Sequence, residues 1–307
     1  MSAGWVAGAV RARAMARRRL GEGGARALAA APSLADALLT LAASPYGRYV
    51  TPGQSLPQAQ RAVADTLLWN LRVFAGWLPR GGGDRLRVLA GWFEIANVEE
   101  VLRSLAGETS EPPFRLGGLA TVARGLDDVR SPADLRRVLA ASPWGDPGGE
   151  SPGDVVPALQ MAWAERVAAA VPPARDWAVA GTALLVARVQ FLGGRRLGDA
   201  ARASSRRLLG SAAADAGSLA ELGSVVPRGA RSALAGVGEQ EALWLAEARW
   251  WQQLDLDAGR LLRRPRFSLD PVVGTVASAA VDAWRVRAAL ECAARGGQGL
   301  EVFDAIA

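Results

Sequence analysis

Apolar residues recur along most of this chain with the spacing of an amphipathic helix. In the first third, Val63, Leu67, Leu71, Phe74 and Leu78 follow one another at intervals of three and four positions, which places them on one helical face. Strand signals are poor, because Val and Thr are scattered rather than alternating and no Asn-Gly or Asp-Gly pair joins two apolar runs. The pattern therefore predicts an all-α protein.

The same periodicity predicts several further helices, separated by Gly and Pro. The segment RGGGD at 80–84 is expected to end the first long helix, and a second apolar stripe begins after it. Later helices are predicted over residues 157–171, 177–191, 198–209, 239–262 and 271–294.

Two segments of the chain repeat each other almost position for position. Residues 33–47 read SLADALLTLAASPYG, residues 131–145 read SPADLRRVLAASPWG, and nine of these fifteen positions are identical. A more degenerate copy, SLAELGSVV, begins at Ser218. Because self-similarity at a long period is typical of helical arrays, the chain is predicted to contain three similar helical units, over 1–125, 126–215 and 216–307.

Each copy of the repeat opens with the pattern of a helix N-cap. The pattern is a serine followed three residues later by an acid, in the pairs Ser33 and Asp36, Ser131 and Asp134, and Ser218 and Glu221. The serine hydroxyl can accept a hydrogen bond from the N3 amide. The acid can accept a hydrogen bond from the N-cap amide or interact favourably with the positive end of the helix dipole. A short capped helix of roughly ten residues is therefore predicted at each copy.

The composition excludes several kinds of active site. The chain contains no His, and all 36 basic residues are Arg because Lys is also absent. A His-based triad, a His metal site, a Walker A lysine and a Schiff-base lysine are thereby excluded. The single cysteine, Cys292, suits a reducing compartment. We assign no catalytic, cofactor-binding or metal-binding residue and expect a protein that is not an enzyme and needs no cofactor.

The net charge of +6 and the sequence pI of about 10.8 have two explanations. Nucleic acid or an anionic membrane surface could be the partner of a basic protein. Alternatively, the use of Arg in place of Lys raises the pI by itself. The interspersed Asp and Glu favour this second explanation.

No apolar run reaches the ~20 residues of a membrane span, and the N-terminal order of apolar and basic residues does not fit a signal peptide.

Two groups of residues are candidates for a partner interface. The densest basic cluster comprises Arg11, Arg13, Arg17, Arg18 and Arg19, which could contact anionic lipid head groups or acidic residues of a partner, or form a solvated helix face. Adjacent Trp250 and Trp251 cannot share one helical face, so one of them is expected at an interface. The other tryptophans in helical segments, namely Trp69, Trp77, Trp92, Trp163, Trp244 and Trp284, are interpreted as core residues.

Asn97 lies on the apolar line of a predicted helix. A buried Asn there could set the register between helices. Alternatively, Asn97 could cap a new helix, since Asn97 and Glu100 stand in a capping-box spacing. Both interpretations give Asn97 and Glu100 a structural role.

Three segments resemble the C-subunit family of rotary V-type ATPases, whose eukaryotic equivalent is the d subunit. They are the N-terminal VAGAVRARAMARRRLG (6–21), FEIANVEEVLRSLAG (93–107) and the tail over 268–307. The second segment is similar to that family's sequence of an aromatic residue, an acid, Ile, any residue and Asn. The segment ARVQFLGGRRLGDA (187–200) departs from the family pattern, because it lacks the Asn.

The resemblance implies a role in assembly rather than a reaction. It implies three pseudo-symmetric helical subdomains arranged as a funnel. The funnel would lie on the cytoplasmic face of the membrane proteolipid ring, peripheral to the membrane, and receive the central shaft, which is built of the D and F subunits. The alternative is a helical-repeat scaffold that binds protein or nucleic acid partners. An all-α enzyme acting on an anionic substrate would need convergent acids or arginines, and the sequence shows no such cluster.

Overall fold

The computed structural model describes residues 3–306, except for the side chains of residues 123, 124 and 306. Within this range the regular secondary structure is helical and no strand occurs, which confirms the all-α prediction. The α-helices are α1 (Ala3–Ala16), α2 (Gly21–Ala29), α3 (Leu34–Ala42), α4 (Leu56–Ala75), α5 (Arg80–Leu105), α6 (Ala123–Leu126), α7 (Pro132–Ala140), α8 (Pro152–Ala170), α9 (Arg175–Ala187), α10 (Asp199–Leu209), α11 (Ser211–Ala214), α12 (Leu219–Val225), α13 (Arg228–Leu234), α14 (Leu243–Arg263), α15 (Leu269–Ala294) and α16 (Leu300–Ile306). A π-helical segment, Arg188–Leu192, continues α9.

The chain divides into two compact units. Unit 1 contains Met1–Gly83 and Trp251–Ala307, and unit 2 contains Asp84–Trp250. The chain passes between the units within α5 and within α14. The repeat boundaries predicted near residues 125 and 215 both lie inside unit 2, so the division into three repeat units stays a prediction.

Unit 1 is built around α15, which packs against α1, α2 and α4. Its core is made of small and medium apolar side chains, including Leu38, Leu41, Val63 and Val286. Close helix packing also depends on Gly274 in α15, because a Cβ there would lie 2.9 Å from the carbonyl oxygen of Ala258 in α14. The apolar stripe predicted from the sequence in α4 is thus buried against a helix from the other end of the chain.

Unit 2 contains two hydrophobic clusters. The larger one is formed where α9 packs against α8 and α13, with α10 and α12 around them. The smaller one joins the second half of α5 to α7 and the start of α8, through residues such as Val98, Leu135 and Leu159. The clusters hold the second and third copies of the sequence repeat in one compact body.

Two predicted helix boundaries are wrong. The glycines of RGGGD lie inside the first turn of α5, and the break before α5 falls at residues 76–79, where Pro79 lacks an amide hydrogen to continue α4. Helix α8 begins at Pro152, with the Ser151 hydroxyl as its N-cap acceptor, so Pro157 lies within the helix rather than at its start. Pro157 is the sixth residue of the helix, so it cannot donate the hydrogen bond that the carbonyl of Gly153 would otherwise accept.

The three serines of the repeat form N-caps of nearly identical geometry. Each serine has extended backbone and accepts a hydrogen bond from the amide three residues later, at the starts of α3, α7 and α12. The bonds join Ser33 to Asp36 at 3.2 Å, Ser131 to Asp134 at 3.1 Å, and Ser218 to Glu221 at 3.1 Å. The predicted short capped helices are therefore present in all three copies.

Candidate functional site

A buried carboxylate, Asp282, lies at the middle of α15 and is only 2% exposed. Its two oxygens accept from the amides of Leu20 and Gly21, at 3.1 and 2.7 Å, where the chain enters α2. The carboxylate also accepts from the Tyr46 hydroxyl at 2.8 Å. A buried charge is stable only when its hydrogen bonds are made, and Asp282 makes three of them.

Tyr46 comes from the SPYG end of the first repeat copy. Burial raises the pKa of the Tyr46 phenol well above its ordinary value, and the negative charge of Asp282 and its hydrogen bond raise it further. The phenol therefore stays protonated and remains a donor to the carboxylate. In this way α15 is joined to the turn after α3 and to the start of α2.

The second repeat copy has an equivalent arrangement in unit 2. Glu94, at the middle of α5, is 1% exposed and accepts from Trp144 Nε1 at 2.8 Å. Trp144 occupies the SPWG position that corresponds to Tyr46. Glu94 also accepts from the Thr121 amide and hydroxyl and from the Val122 amide, just before α6. Each of these repeat copies is thus anchored by a carboxylate in the middle of a 26-residue helix.

Asn97 and Glu100, further along α5, also bind the loop that follows this helix. The Asn97 amide donates to the carbonyl oxygen of Phe114 at 2.9 Å and accepts from its amide at 2.6 Å. Glu100 accepts from the Glu111 amide at 2.9 Å. Because Asn97 is buried inside a continuous helix, the interpretation as a helix cap is wrong. The acid and the Asn of the FEIAN segment bind the loop that follows α5.

A cavity of about 320 Å³ opens in unit 1, between α1, α4, α15 and the turn after α3. Its polar lining includes Arg11, Arg18, Arg19, Arg48, Ser44, Thr66, Asn70, Thr275, Tyr46 and Asp282, and its apolar lining includes Trp69 and Leu67. Four arginines stand against one aspartate, which gives the wall a net charge of +3. We call this site the arginine cavity.

The arginines of the arginine cavity differ in their bonding. Arg19 pairs with Asp255 at 3.4 Å and donates to the Ala16 carbonyl at 2.9 Å. The Arg48 guanidinium lies 4.2 Å from the centre of the Trp69 ring, and the Arg11 guanidinium lies 5.5 Å from the centre of the Trp77 ring. The Nε of Arg11 is buried and has no hydrogen-bond partner among the described residues. The cavity therefore holds cations and hydrogen-bond donors in excess of acceptors.

The predicted basic cluster is only partly brought together. Arg11 and Arg18 reach the arginine cavity, and Arg17 is exposed outside its lining. Arg13 turns to the C-terminal end of α14, where it donates to the carbonyls of Leu262, Arg264 and Arg266. Neither Arg48 nor the convergence of the arginines is evident from the sequence, because Arg48 follows the SPYG turn and gives no helical signal.

The tryptophans are divided between the interior and the surface. Trp250 donates to the Trp177 carbonyl at 3.1 Å in unit 2, and Trp251 stacks on Trp284 in unit 1 with ring centres 5.2 Å apart. Both are half-buried, and a contact with a partner stays a prediction. The core interpretation is wrong for three others, which are about half exposed: Trp77, Trp92 and Trp244.

Metal-binding clusters and membrane-spanning helices are both absent from the described part of the chain. No group of three or more Cys, Asp and Glu residues within the described range is arranged to hold a metal ion. No helix within residues 3–306 combines the length and the apolar character needed to cross a membrane.

In comparisons with known proteins, neither a protein-family model nor a curated protein matches the chain.

Proposed function

We propose that this chain is a non-catalytic coupling subunit of the central stalk of a rotary V-type ATPase, of the C-subunit family. In this role it joins the shaft, formed by the D and F subunits, to the proteolipid ring and lies peripherally on the cytoplasmic face of the membrane. Three similar helical units form a funnel that receives the end of the shaft. The chain itself contributes no active site and transmits rotation between ATP hydrolysis or synthesis and ion transport.

The observation that carries the proposal is the internal repetition of one anchored element. In two copies, a capped short helix ends in Ser-Pro-aromatic-Gly, and the aromatic side chain donates to a buried carboxylate of a long helix. The third copy keeps the N-cap at Ser218, although the chain continues there as VVPRG. A repeated helical unit with fixed internal anchors suits a stiff body that must surround a shaft.

A second observation concerns the segment that carries the family resemblance. In FEIANVEEVL, Glu94, Asn97 and Glu100 each bind the backbone of the loop that follows α5. These residues therefore have a physical role in this chain, which is to fix a helix to its loop. Such a role is structural and fits a protein whose function is assembly.

The proposal is tested by co-purification from native membranes. The chain is expressed with an affinity tag in its own host, the membranes are solubilised in mild detergent, and the recovered proteins are identified by mass spectrometry. Recovery of a proteolipid together with two shaft proteins is expected. Recovery of nucleic acid or of unrelated proteins, without any rotary-ATPase component, would sink the proposal and favour the helical-repeat scaffold.

A matched pair of variants shows whether the basic N-terminal segment belongs to the interface. Arg17→Gln and Arg115→Gln remove the same charge from exposed positions in units 1 and 2, respectively. If Arg17 contacts a partner, R17Q reduces the recovery of that partner and R115Q does not. Equal recovery with both variants would place the interface elsewhere on the chain.

A further inference from the structure

We propose that the arginine cavity of unit 1 is a binding site for a phosphate-bearing anion. The ligand is either a small soluble phosphate or the head group of an anionic phospholipid, which offer the same chemistry to the cavity. This inference concerns unit 1 alone and holds whether or not the chain belongs to a rotary ATPase.

The wall of the cavity carries an excess of positive charge. Its one acid, Asp282, already accepts three hydrogen bonds from the protein, and Arg19 is held by Asp255. Among the described residues, Arg11, Arg18 and Arg48 form no ion pair with a carboxylate. Three cations without counter-ions around a partly enclosed space produce a positive potential, which an anion would neutralise.

The hydrogen-bond donors of the wall also favour an anion. The buried Nε of Arg11 is left without an acceptor among the described residues, although buried polar atoms are nearly always bonded. Asn70, on the same wall, adds an amide that can also donate. A guanidinium presents several N–H groups in a plane and binds phosphate oxygens in pairs. An anion with several oxygens can accept from the terminal guanidinium nitrogens of the arginines and from Asn70 together.

Aromatic rings hold two of the arginines in place. Trp69 lies under Arg48 and Trp77 under Arg11. Cation–π contacts of this kind fix a guanidinium without using its N–H donors, so the donors remain available to a ligand. The volume of about 320 Å³ is at the lower end of the range for small-molecule sites, which fits a phosphate group with a small substituent.

The test uses inorganic pyrophosphate as the soluble probe and the full chain as the protein. Isothermal titration calorimetry should show saturable binding at one site. Each of R11Q and R48Q should weaken binding about tenfold, because each removes a charge-assisted hydrogen bond. Arg72 is an exposed residue of α4 outside the lining, so R72Q is the matched control and should change affinity less than about twofold.

The folding of each variant is checked by circular dichroism and thermal unfolding without ligand. If R11Q loses structure because the contact between Arg11 and Trp77 is removed, binding is compared in R18Q and R48Q instead. The side chains of Arg18 and Arg48 are both exposed, so their replacement should not disturb the fold. Equal weakening by R72Q and R48Q would overturn the proposal, since diffuse charge would then account for the binding.

A second experiment, with vesicles, distinguishes a soluble phosphate from a lipid head group as the ligand. The chain is sedimented with phosphatidylcholine vesicles that contain or lack phosphatidic acid. Sedimentation that requires phosphatidic acid and is lost in R48Q but not in R72Q identifies a lipid head group as the ligand. Pyrophosphate binding without such sedimentation identifies a soluble phosphate, and failure to bind either probe overturns the proposal.

Discussion

At the scale of single residues, two buried carboxylates join segments that lie far apart in the chain. Asp282 and Tyr46 are 236 positions apart, and their hydrogen bond joins the two ends of unit 1. Glu94 and Trp144 are 50 positions apart and form the equivalent bond in unit 2. In each case the carboxylate also fixes the backbone amides at the start of another segment.

The Asp282 anchor leads to a prediction about stability. Asp282→Asn should lower the free energy of unfolding by about 2–3 kcal/mol, because a buried charged acceptor is lost and a backbone amide is left unpaired. Tyr46→Phe removes one donor and should cost about 1–2 kcal/mol. Guanidinium denaturation followed by circular dichroism measures both changes.

Tyr49→Phe is the control for Tyr46→Phe. Tyr49 lies in the same turn, and its ring is covered by Arg48 rather than buried against a carboxylate. Its hydroxyl should therefore matter by no more than about 0.5 kcal/mol. If Y46F and Y49F have the same effect, the buried hydrogen bond is not the source of stability.

The Asp146 carboxylate leads to a prediction about pH. The Arg136 guanidinium binds both its oxygens, at 2.8 and 3.0 Å, and the Gly148 amide adds a third bond at 2.9 Å. These contacts lower the pKa of Asp146 from 3.8 to about 2. Because the folded pKa is lowered, the pair stabilises the fold fully above pH 3.8, and this contribution is lost as the pH falls through about 2.

Carbon-detected NMR titration of the Asp146 carboxyl measures this shift. In Arg136→Gln the pKa of Asp146 should rise toward its ordinary value. Arg137→Gln is the matched control, since Arg137 binds Asp134 instead, and it should leave the Asp146 pKa in place. If the pKa of Asp146 stays at about 2 in R136Q, the Gly148 amide alone is sufficient to hold the carboxylate.

At the scale of helices, the close approach of α15 to α14 depends on Gly274. Gly274→Ala in α15 should lower the free energy of unfolding by about 1 kcal/mol, because the new methyl group meets the Ala258 carbonyl at 2.9 Å and this overpacking outweighs the better helix propensity of Ala. Gly23→Ala in α2 meets nothing within 4 Å and should instead stabilise by about 0.5–1 kcal/mol. Thermal unfolding measures both, and opposite signs are expected.

The helices themselves were largely predictable from local sequence. The caps at Ser33, Ser131 and Ser218 depend on a residue and its near neighbours, and the structure contains all three. Ser55 and Ser151 carry the same spacing before Gln58 and Asp154, so the caps of α4 and α8 could have been found by the same criterion. The glycines at the start of α5 are helical although their propensity predicts a break, because propensity is weaker than the tertiary packing of the helix that follows.

The candidate site could not be predicted in the same way. The arginine cavity joins α1 to the turn after α3, to α4 and to α15, and no local pattern reports which segments meet. Arg13 illustrates the difficulty, since it lies in the same basic run as Arg11 and Arg18 and yet binds the end of α14. The exposed Trp77, Trp92 and Trp244 show likewise that an apolar neighbourhood in the sequence does not establish burial.

At the scale of the whole molecule, much of the arginine content serves internal contacts. Arg136, Arg206 and Arg207 bind Asp146, Asp215 and Glu165, respectively. Each such pair is electrically neutral, so these contacts leave the net charge of +6 unchanged, and the excess lies on arginines outside the pairs. In the arginine cavity, Arg11, Arg18 and Arg48 lack carboxylate partners among the described residues, and it is there that we propose a specific use for the charge.

The proposed coupling role is tested most directly by ion pumping in membranes. Vesicles from cells that lack the chain should hydrolyse ATP without building an ion gradient, because the shaft is no longer joined to the ring, and added purified chain should restore pumping. The gradient is followed with H⁺- and Na⁺-sensitive dyes, and Y49F protein serves as a folded positive control. Full ATP-driven pumping in vesicles without the chain would contradict the account.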